Sequence, residues 1–326
     1  MPCYHPLRMY RTNNRGPSGK YLYTFDARRG FVDQYVDVPC GKCIGCRLER
    51  SRQWAVRGIH ELKYHETACF ITLTYNDEHL PENGTLVPEH LTLFWKRLRK
   101  EIDPIKIKYI ACGEYGDNLG RPHYHAIIYG YDFPDREPLR LTQSGFQSYE
   151  SAQLSRLWPF GFSNIGGVTF ESIAYVARYC LKKINGDEQL EHYGGTVDPS
   201  GTVCFTKHPE FARYSRGIGE LWCKEFADDI LRSGNRVLVN DHLVGIPRYY
   251  KKKIDELSDL DQRRLHKNSL RARKIMTVAQ ERDPRPLPDV LATAEEIKHI
   301  QLQRLPRPLD ETLQNSSYLE FIKEQK

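Results

Sequence analysis

The spacing of apolar residues along the chain predicts alternating strands and helices. Residues 68–75, Ala-Cys-Phe-Ile-Thr-Leu-Thr-Tyr, are β-branched and aromatic, which predicts a strand. Residues 88–102 begin with proline and glutamate and carry an apolar stripe with helical spacing, which predicts a helix. Two further strands are predicted at 107–114 and 123–130, joined by a glycine-containing turn. We therefore expect an α+β fold with a central antiparallel sheet and flanking helices.

The rest of the chain has less regular patterning. Residues 1–38 are rich in Gly, Arg, Tyr and Pro without a sustained period, which predicts a loop-rich basic arm. Helices are predicted at 47–65 and 170–183, and a hairpin at 236–245 that turns at Asn240-Asp241. Residues beyond about 254 are charged, helical in composition and interrupted by prolines, so we expect partial disorder there.

These patterns divide the chain into three predicted segments. Residues 1–66 hold the basic arm and a cysteine cluster, residues 67–250 the main α+β domain, and residues 251–326 the charged helical tail.

Composition and charge narrow the class of protein. Hydrophobic residues make up 40% of the 326 residues, and no run approaches the roughly 18 apolar residues that cross a bilayer. The first residues lack the layout of a secretory signal, and nine cysteines is an odd number, so we expect no disulfide framework. These features predict a soluble protein of a reducing cytoplasm, with no membrane partner.

The net charge of +6 is unevenly distributed. Residues 1–60 hold 11 Lys and Arg against 4 Asp and Glu, and residues 247–275 hold 10 against 4. Two basic ends around a more acidic middle are typical either of phosphate-binding surfaces or of ordinary solvated faces.

A candidate metal site lies in the predicted hairpin. Side chains alternate along a strand, so His123 and His125 share one face. A turn centred between positions 118 and 119 places Glu114 opposite His123 and Cys112 opposite His125. Two imidazoles and a carboxylate suit Mg²⁺ or Mn²⁺. The alternatives are two surface histidines and an exposed acid paired with Arg121.

A second candidate site lies on the predicted helix at 170–183. Tyr175, Tyr179 and Lys182 are spaced by four and three residues, so two phenols and an ammonium share a stripe. A phenol becomes a useful nucleophile when a neighbouring cation favours the phenolate, and Lys182 could supply it. The alternative is that both tyrosines are packing residues of an amphipathic helix.

The cysteine cluster predicts a structural zinc site. Cys40, Cys43 and Cys46 are spaced by three residues, with glycines between them, and Cys3 or His5 could supply a fourth ligand. An iron–sulfur cluster and a reduced, packed cluster are the alternatives.

Several cations and aromatic residues are candidates for contacts with nucleic acid. Residues 248–253 interleave rings with positive charges, which suits stacked bases and phosphates but equally a solvated basic helix. The predicted DNA-binding residues are Arg121, Arg178, Lys183, Arg248, Tyr249 and Tyr250.

Three motifs, in this order, resemble those of the HUH single-strand endonucleases that initiate rolling-circle replication. Residues 70–75 are similar to their first strand motif, His123-Tyr124-His125 to their metal motif, and Tyr175-x₃-Tyr179-x₂-Lys182 to their two-tyrosine motif. The resemblance is closest to initiators of microviruses of the gokushovirus-like group, and it extends from the cysteine cluster to about residue 250.

The resemblance implies an HUH domain with an RRM/ferredoxin-like core at residues 67–250. It also implies metal-dependent nicking of single-stranded origin DNA, a 5′-phosphotyrosine intermediate and rejoining of the ends. The chain has no Gly-x₄-Gly-Lys-Ser/Thr loop, so we expect a host helicase and a host polymerase as partners. Two other classes stay open: a non-catalytic, zinc-containing single-stranded DNA-binding protein, and a metal-dependent hydrolase that activates water.

Overall fold

The computed structural model describes residues 3–17, 19–116, 120–141, 147–179, 188–197, 200, 202–239, 241–257, 259–281, 283 and 285–303. The strands are β1 (Leu7–Arg15), β2 (Tyr21–Thr24), β3 (Phe31–Val38), β4 (Ala68–Tyr75), β5 (Lys108–Tyr115), β6 (Pro122–Tyr129), β7 (Glu137–Leu141), β8 (Gln147–Glu150), β9 (Gly161–Gly166), β10 (Gly195–Val197), β11 (Val203–Phe205), β12 (Phe211–Tyr214), β13 (Arg236–Val239) and β14 (His242–Gly245). The α-helices are α1 (Ile44–Leu62), α2 (Pro88–Glu101), α3 (Ala152–Leu157), α4 (Phe170–Tyr179), α5 (Glu188–His192), α6 (Glu220–Glu225), α7 (Ala227–Arg232), α8 (Arg248–Asp255), α9 (Asp259–Glu281) and α10 (Leu287–Gln303).

The described residues form two compact units. One consists of residues 3–50 and 272–303, and the other of residues 51–271. The predicted division into segments 1–66, 67–250 and 251–326 stays a prediction about domains.

The larger unit is built on a seven-stranded antiparallel sheet with the strand order β12-β5-β6-β4-β9-β8-β7. Strand β4 is central and pairs with β6 and β9, and its residues from Cys69 to Tyr75 are all buried. A strand that is covered on both faces needs uncharged side chains at every position. This explains the continuous run of apolar residues and threonines at 68–75.

Helices cover both faces of this sheet. On one face, Leu91 and Phe94 of α2 and Leu154 of α3 are fully buried in a core with β4, β5 and β6. On the other face, Ala55 of α1 and Ile173 of α4 are fully buried against different residues of the same strands. Helix α4, which carries the predicted nucleophiles, is therefore held on the sheet by its apolar side.

Gly58 allows α1 to approach the sheet closely. A Cβ atom at this position would lie 2.6 Å from Cγ2 of Ile173 and 2.7 Å from the hydroxyl oxygen of Tyr129. Because such distances are well inside van der Waals contact, any larger residue would displace α4 or the sheet.

The structure confirms the α+β fold and most of the predicted elements of the core. The strand predicted at 68–75 is β4, the helix at 88–102 is α2, and the strands at 107–114 and 123–130 are β5 and β6 within one residue at each end. The predicted hairpin at 236–245 is β13 and β14, although Asn240 of its turn lies outside the described residues.

The prediction of a loop-rich arm at residues 1–38 was wrong. Residues 7–38 form a three-stranded antiparallel sheet with the strand order β2-β1-β3. Register shifts interrupt both ladders, one after Arg11 and one after Tyr10. None of the residues in these three strands is buried, so neither face of the sheet requires apolar side chains, and the alternation that would identify a strand is missing from the sequence.

The tail contains two long helices, α9 and α10, within its described part. The residues of the tail beyond 303, including Pro306 and Pro308, lie outside the described residues. The predicted disorder of this part therefore stays a prediction. Among the described helices, none is both long and apolar enough to cross a membrane.

Candidate active site

The β5–β6 hairpin brings the three predicted metal ligands together. In the observed register Glu114 lies opposite His123 and Cys112 opposite His125, so the predicted register is confirmed. The three side chains are buried, with exposed fractions of 0% for Glu114, 5% for His123 and 1% for His125. The alternative of an exposed acid and two surface histidines is therefore wrong.

The ligand atoms of this trio converge on one point. The Nε2 atoms of His123 and His125 lie 2.8 Å and 2.9 Å from the same oxygen, Oε1 of Glu114. One ligand atom from each of the three residues lies within 4.8 Å of the others. The arrangement can hold a single cation between two imidazoles and a carboxylate.

The outer nitrogens of the imidazoles are oriented by the backbone just before β6 and by a side chain of β4. Nδ1 of His123 lies 3.0 Å from the carbonyl oxygen of Arg121, and Nδ1 of His125 lies 2.9 Å from the hydroxyl of Thr72. A carbonyl only accepts hydrogen bonds, so Nδ1 of His123 must carry a hydrogen. In a neutral ring the lone pair is then on Nε2, directed at the carboxylate.

The donor set fits a divalent cation. When His123 is neutral, its lone pair and a carboxylate oxygen face each other at hydrogen-bond distance, and burial prevents water from separating them. A cation or a proton between them removes this repulsion. Metal-ligating histidines characteristically use one nitrogen for the metal and the other for an oxygen acceptor, as His123 does. Oxygen and nitrogen ligands suit Mg²⁺ or Mn²⁺, but this geometry does not select between them.

Thr72 is a site residue that sequence reasoning missed. It lies opposite His125 in the β4–β6 ladder and is 3% exposed. The available signal was the pair of threonines at 72 and 74 in an otherwise apolar strand, because most buried hydroxyls are hydrogen-bonded.

Helix α4 places Tyr175 next to the trio. The rings of Tyr175 and His125 meet edge to face, with centroids 5.3 Å apart, and Tyr175 is 3% exposed. The helix backbone continues to Tyr179, but the side chains of Arg178 and Tyr179 lie outside the described part of the structure. Lys182 and Lys183 also lie outside the described residues, so the predicted roles of these four residues stay predictions.

Arg121 lies at the turn end of the β5–β6 hairpin and stabilises it. It donates a hydrogen bond of 2.9 Å to the carbonyl oxygen of Tyr75 and pairs with the carboxylate of Asp77. These contacts tie β6 to the end of β4, while a role of Arg121 in DNA binding stays a prediction.

The basic segment 248–253 forms the start of α8 and differs from its predicted arrangement. Tyr250 is 0% exposed, and its hydroxyl lies 3.0 Å from Nδ1 of the buried His60. It does not fit the predicted role of stacking on a base, because a base would have to enter the core. Tyr249 is half-buried and donates a 2.6 Å hydrogen bond to Glu220, whereas Arg248 is exposed.

The four predicted cysteine ligands form a second centre. The Sγ atoms of Cys40 and Cys46 are 4.0 Å apart, and those of Cys43 and Cys3 are 3.9 Å apart. A zinc ion with four sulfur ligands at about 2.3 Å requires sulfur–sulfur distances of about 3.8 Å. The cluster therefore fits a tetrahedral metal ion, and it is Cys3 that completes the group of four sulfurs, whereas Nε2 of His5 lies 2.7 Å from Glu295.

Hydrogen bonds to sulfur support this geometry. The backbone N–H of Cys43 donates to Sγ of Cys40, and the N–H of Cys40 donates to Sγ of Cys3. Burial alone raises the pKa of Cys40, but hydrogen bonds from backbone N–H groups outweigh it and lower the pKa to about 7. A thiolate at neutral pH is the form that binds metal.

Sequence comparisons identify relatives of the chain. The family described as Replication-associated protein ORF2/G2P matches residues 68–184. Replication-associated protein ORF2 of Spiroplasma virus 4 is 33% identical over 272 residues, which are 78% of this chain and 81% of that protein. Replication-associated protein VP4 of Bdellovibrio phage phiMH2K is 36% identical over 220 residues, which are 65% of each chain. Replication-associated protein ORF4 of Chlamydia phage 1 is 33% identical over 271 residues, which are 78% of this chain and 63% of that protein.

The chain belongs to this family of phage replication-associated proteins. The predicted resemblance to microvirus replication initiators is confirmed by these relatives. No solved structure matches the chain.

Proposed function

We propose that the chain is a replication initiation endonuclease that nicks single-stranded origin DNA by tyrosine attack and later rejoins the ends. The observation that carries the proposal is the contact of Tyr175 with His125, which puts a phenol beside a buried pair of imidazoles and a carboxylate. Membership of a replication-associated family supports the same conclusion.

In this proposal His123, His125 and Glu114 would hold a divalent cation. A bound Mg²⁺ or Mn²⁺ would supply the positive charge that polarises the scissile phosphate and offsets charge on its oxygens. The protein residues fix the position of the ligands, since Thr72 and the Arg121 carbonyl hold the outer nitrogens of the imidazoles.

The phenolic oxygen of Tyr175 or Tyr179 attacks phosphorus in line with the 3′ oxygen that leaves. The new bond is a 5′-phosphotyrosine ester, the bond that breaks is the one between phosphorus and the 3′ oxygen, and the proton lost by the phenol balances the one gained by the 3′-OH. Lys182 is proposed to favour the phenolate. The phosphate is transferred to the tyrosine and not to water, so the DNA ends can later be rejoined.

Two tyrosines allow the reaction to start and finish on one chain. After a full circle, the second phenol attacks the regenerated origin while the released 3′-OH attacks the first phosphotyrosine. A host polymerase extends the 3′-OH, a host helicase separates the strands, and the reaction takes place in the host cytoplasm. Arg121, Arg178, Lys183, Arg248 and Tyr249 are proposed DNA contacts, and a zinc ion is proposed at the four cysteines.

The test is formation of a protein–DNA adduct that survives SDS. Purified protein is incubated with labelled single-stranded origin fragments and Mn²⁺, and the products are separated on a denaturing gel. We expect an adduct with the wild type, none with Tyr175→Phe/Tyr179→Phe and none with Glu114→Gln. Tyr149→Phe, a half-exposed tyrosine of β8, is the matched control and should form the adduct normally.

Other outcomes would favour other classes. Nicking without an adduct would indicate a hydrolase that activates water, and binding without nicking would indicate a non-catalytic DNA-binding protein. An adduct that persists in the double tyrosine variant would refute the assignment of the nucleophiles.

A further inference from the structure

The three-stranded sheet of residues 7–38 exposes aromatic rings and guanidinium groups on one face. Tyr21 and Tyr23 of β2 and Phe31 of β3 are 36%, 45% and 36% exposed. The ladders pair Arg11 with both Tyr23 and Phe31, and Arg15 with Tyr21, so these five side chains share a face. We call these five residues the ring face.

The cations of the ring face are packed against its rings. The guanidinium carbons of Arg11 and Arg15 lie 4.2 Å and 4.1 Å from the centroid of the Tyr21 ring, and that of Arg11 lies 5.3 Å from the centroid of Phe31. Stacking in this way holds the long arginine side chains close to the sheet. The guanidinium planes of Arg11 and Arg15 therefore lie on the Tyr21 ring, and this stack is presented together with the exposed ring of Tyr23.

The charge of the ring face is not neutralised within the sheet. Residues 7–38 contain three acids: Asp37 pairs with Arg8, Asp26 pairs with Arg28 and Arg29, and Asp33 forms no ion pair with Arg11 or Arg15. Arg11 and Arg15 form no ion pair with a carboxylate of the described residues. A ligand of this face should consequently be an anion that also carries flat, apolar groups.

We propose that the ring face is a second binding surface for single-stranded DNA, separate from the residues that carry out nicking. Bases of a single strand stack on exposed aromatic side chains while its phosphates pair with cations. Tyr21 and Tyr23 are two residues apart on one strand, which spaces them by about 7 Å. Bases in a duplex are stacked about 3.4 Å apart. Successive bases held by these two side chains would have to be unstacked, so the ligand is a single strand and not a duplex. The proposal rests on the proposed function in taking single-stranded DNA as the partner.

The opposite face of the same sheet supplies a matched control. Tyr35 of β3 is 51% exposed, and the guanidinium carbon of Arg8 lies 3.8 Å from the centroid of its ring. Here, however, Asp37 forms a 3.0 Å hydrogen bond with Nε of Arg8, so a carboxylate accompanies the cation. Tyr35 is thus exposed to a similar extent on the same sheet, but the nearby carboxylate of Asp37 would repel a phosphate.

The experiment measures binding apart from chemistry. Fluorescence anisotropy of a labelled 20-nucleotide oligo(dT) is recorded with full-length protein carrying Tyr175→Phe/Tyr179→Phe, in a buffer without chelator so that the cysteine site keeps its metal. Adding Tyr21→Ala/Tyr23→Ala should raise Kd at least tenfold, and Tyr35→Ala should change it less than twofold. Tyr21→Leu/Tyr23→Leu, which keeps bulky side chains on the strand, should behave like the alanine pair if stacking is the cause.

Salt dependence tests the arginines independently. The slope of log Kd against log salt should fall by about 0.7 for each phosphate that the protein no longer neutralises, so Arg11→Gln/Arg15→Gln should lower it by about 1.4. Equal changes of Kd in the ring-face and Tyr35 variants, or unchanged Kd in the leucine pair, would overturn the proposal. A change in oligomeric state with unchanged Kd would show that the face binds a second copy of the chain, which also overturns it.

The adduct assay keeps the two proposals distinguishable. With the catalytic tyrosines restored, ring-face variants should still form the covalent adduct at saturating DNA. If neither the wild type nor any variant forms an adduct, the nicking proposal is refuted. The Kd values of the variants for oligo(dT) still test whether the ring face binds single-stranded DNA.

Discussion

The ring of Tyr175 meets the imidazole of His125 edge to face, with centroids 5.3 Å apart. The contact joins helix α4 to the β5–β6 hairpin through the two residues that the proposed reaction needs next to each other. It also provides a way to separate the packing role of Tyr175 from its chemical role, because phenylalanine keeps the ring and removes only the hydroxyl.

We expect Tyr175→Phe to lower the yield of the covalent adduct without abolishing it, because Tyr179 remains available. Mn²⁺ binding, measured by calorimetry, should stay within about twofold of wild type, since the ring contact with His125 is retained. Loss of metal affinity in this variant would indicate that the hydroxyl supports the metal site instead of attacking DNA.

Two threonines of β4 should respond in opposite ways to the same substitution. The hydroxyl of Thr72 lies 2.9 Å from Nδ1 of His125, whereas the buried hydroxyl of Thr74 has no hydrogen-bond partner among the described residues. Thr72→Val removes a group that orients a ligand, and we expect Mn²⁺ affinity to fall about tenfold or more. Thr74→Val should leave affinity unchanged and stability unchanged or slightly higher, because it replaces an unsatisfied hydroxyl by a methyl group.

The comparison of the two valine variants by calorimetry and thermal unfolding decides the role of Thr72. Equal metal affinity in Thr72→Val and Thr74→Val would show that His125 needs no support from β4.

Removal of the cysteine site should release α10. Leu291 and Ala294 of this helix pack against the cysteine cluster, so a metal ion bound there would stabilise contacts between the start of the chain and α10. We expect Cys40→Ala/Cys43→Ala to lose about one equivalent of zinc, measured by elemental analysis, and to become sensitive to protease within residues 287–303. Cys204→Ala, an exposed cysteine outside the cluster, is the control and should keep both zinc and protection. Retention of a full equivalent in the double variant would contradict a zinc site at these cysteines.

The stability of the larger unit should fall in mild acid because of His60. Burial lowers the pKa of His60 to about 4 from its ordinary value of 6.5. Between these values the unfolded chain binds a proton that the folded chain does not, so the free energy of unfolding decreases as the pH falls from about 6.5 towards 4. The full effect of this one residue is about 3 kcal/mol, and about 2 kcal/mol of it should be lost by pH 5.

Urea unfolding at pH 7 and pH 5 measures this effect. His60→Gln should lose about 2 kcal/mol less than wild type between the two pH values, since glutamine does not titrate. His266→Gln, at an exposed position of α9, should show the pH dependence of the wild type. An unchanged pH dependence in His60→Gln would show that another group is responsible.

The central sheet could be predicted from the sequence because its signals are local. Strand β4 is a continuous apolar run, and the β5–β6 register follows from a short turn, which was enough to place Glu114 opposite His123. The N-terminal sheet could not be predicted, because none of the residues in its strands is buried and the sequence therefore lacks the alternation of apolar and polar positions.

Contacts between segments that are distant in the sequence could not be predicted from local sequence patterns either. The choice of Cys3 over His5 depends on how the chain returns after nearly forty residues to the Cys40 loop. The burial of Tyr250 depends on α1, where His60 lies against its hydroxyl, and no feature of the segment Arg248-Tyr-Tyr-Lys indicates it. The positions of these residues are determined by tertiary packing, which overrides the intrinsic preferences of local sequence.

The location of Glu114, His123 and His125 on one hairpin has a consequence for the newly made protein. The three residues lie within a 12-residue stretch, and Tyr175 follows 50 residues after His125. A hairpin forms within about 1–10 μs, whereas a ribosome adding about 5–20 residues per second needs several seconds to reach Tyr175. A nascent chain should therefore be able to capture a cation before its nucleophile has been synthesised. Nicking competence would then arise only when α4 docks, so unfinished chains in an infected cell would pose no hazard to the phage genome.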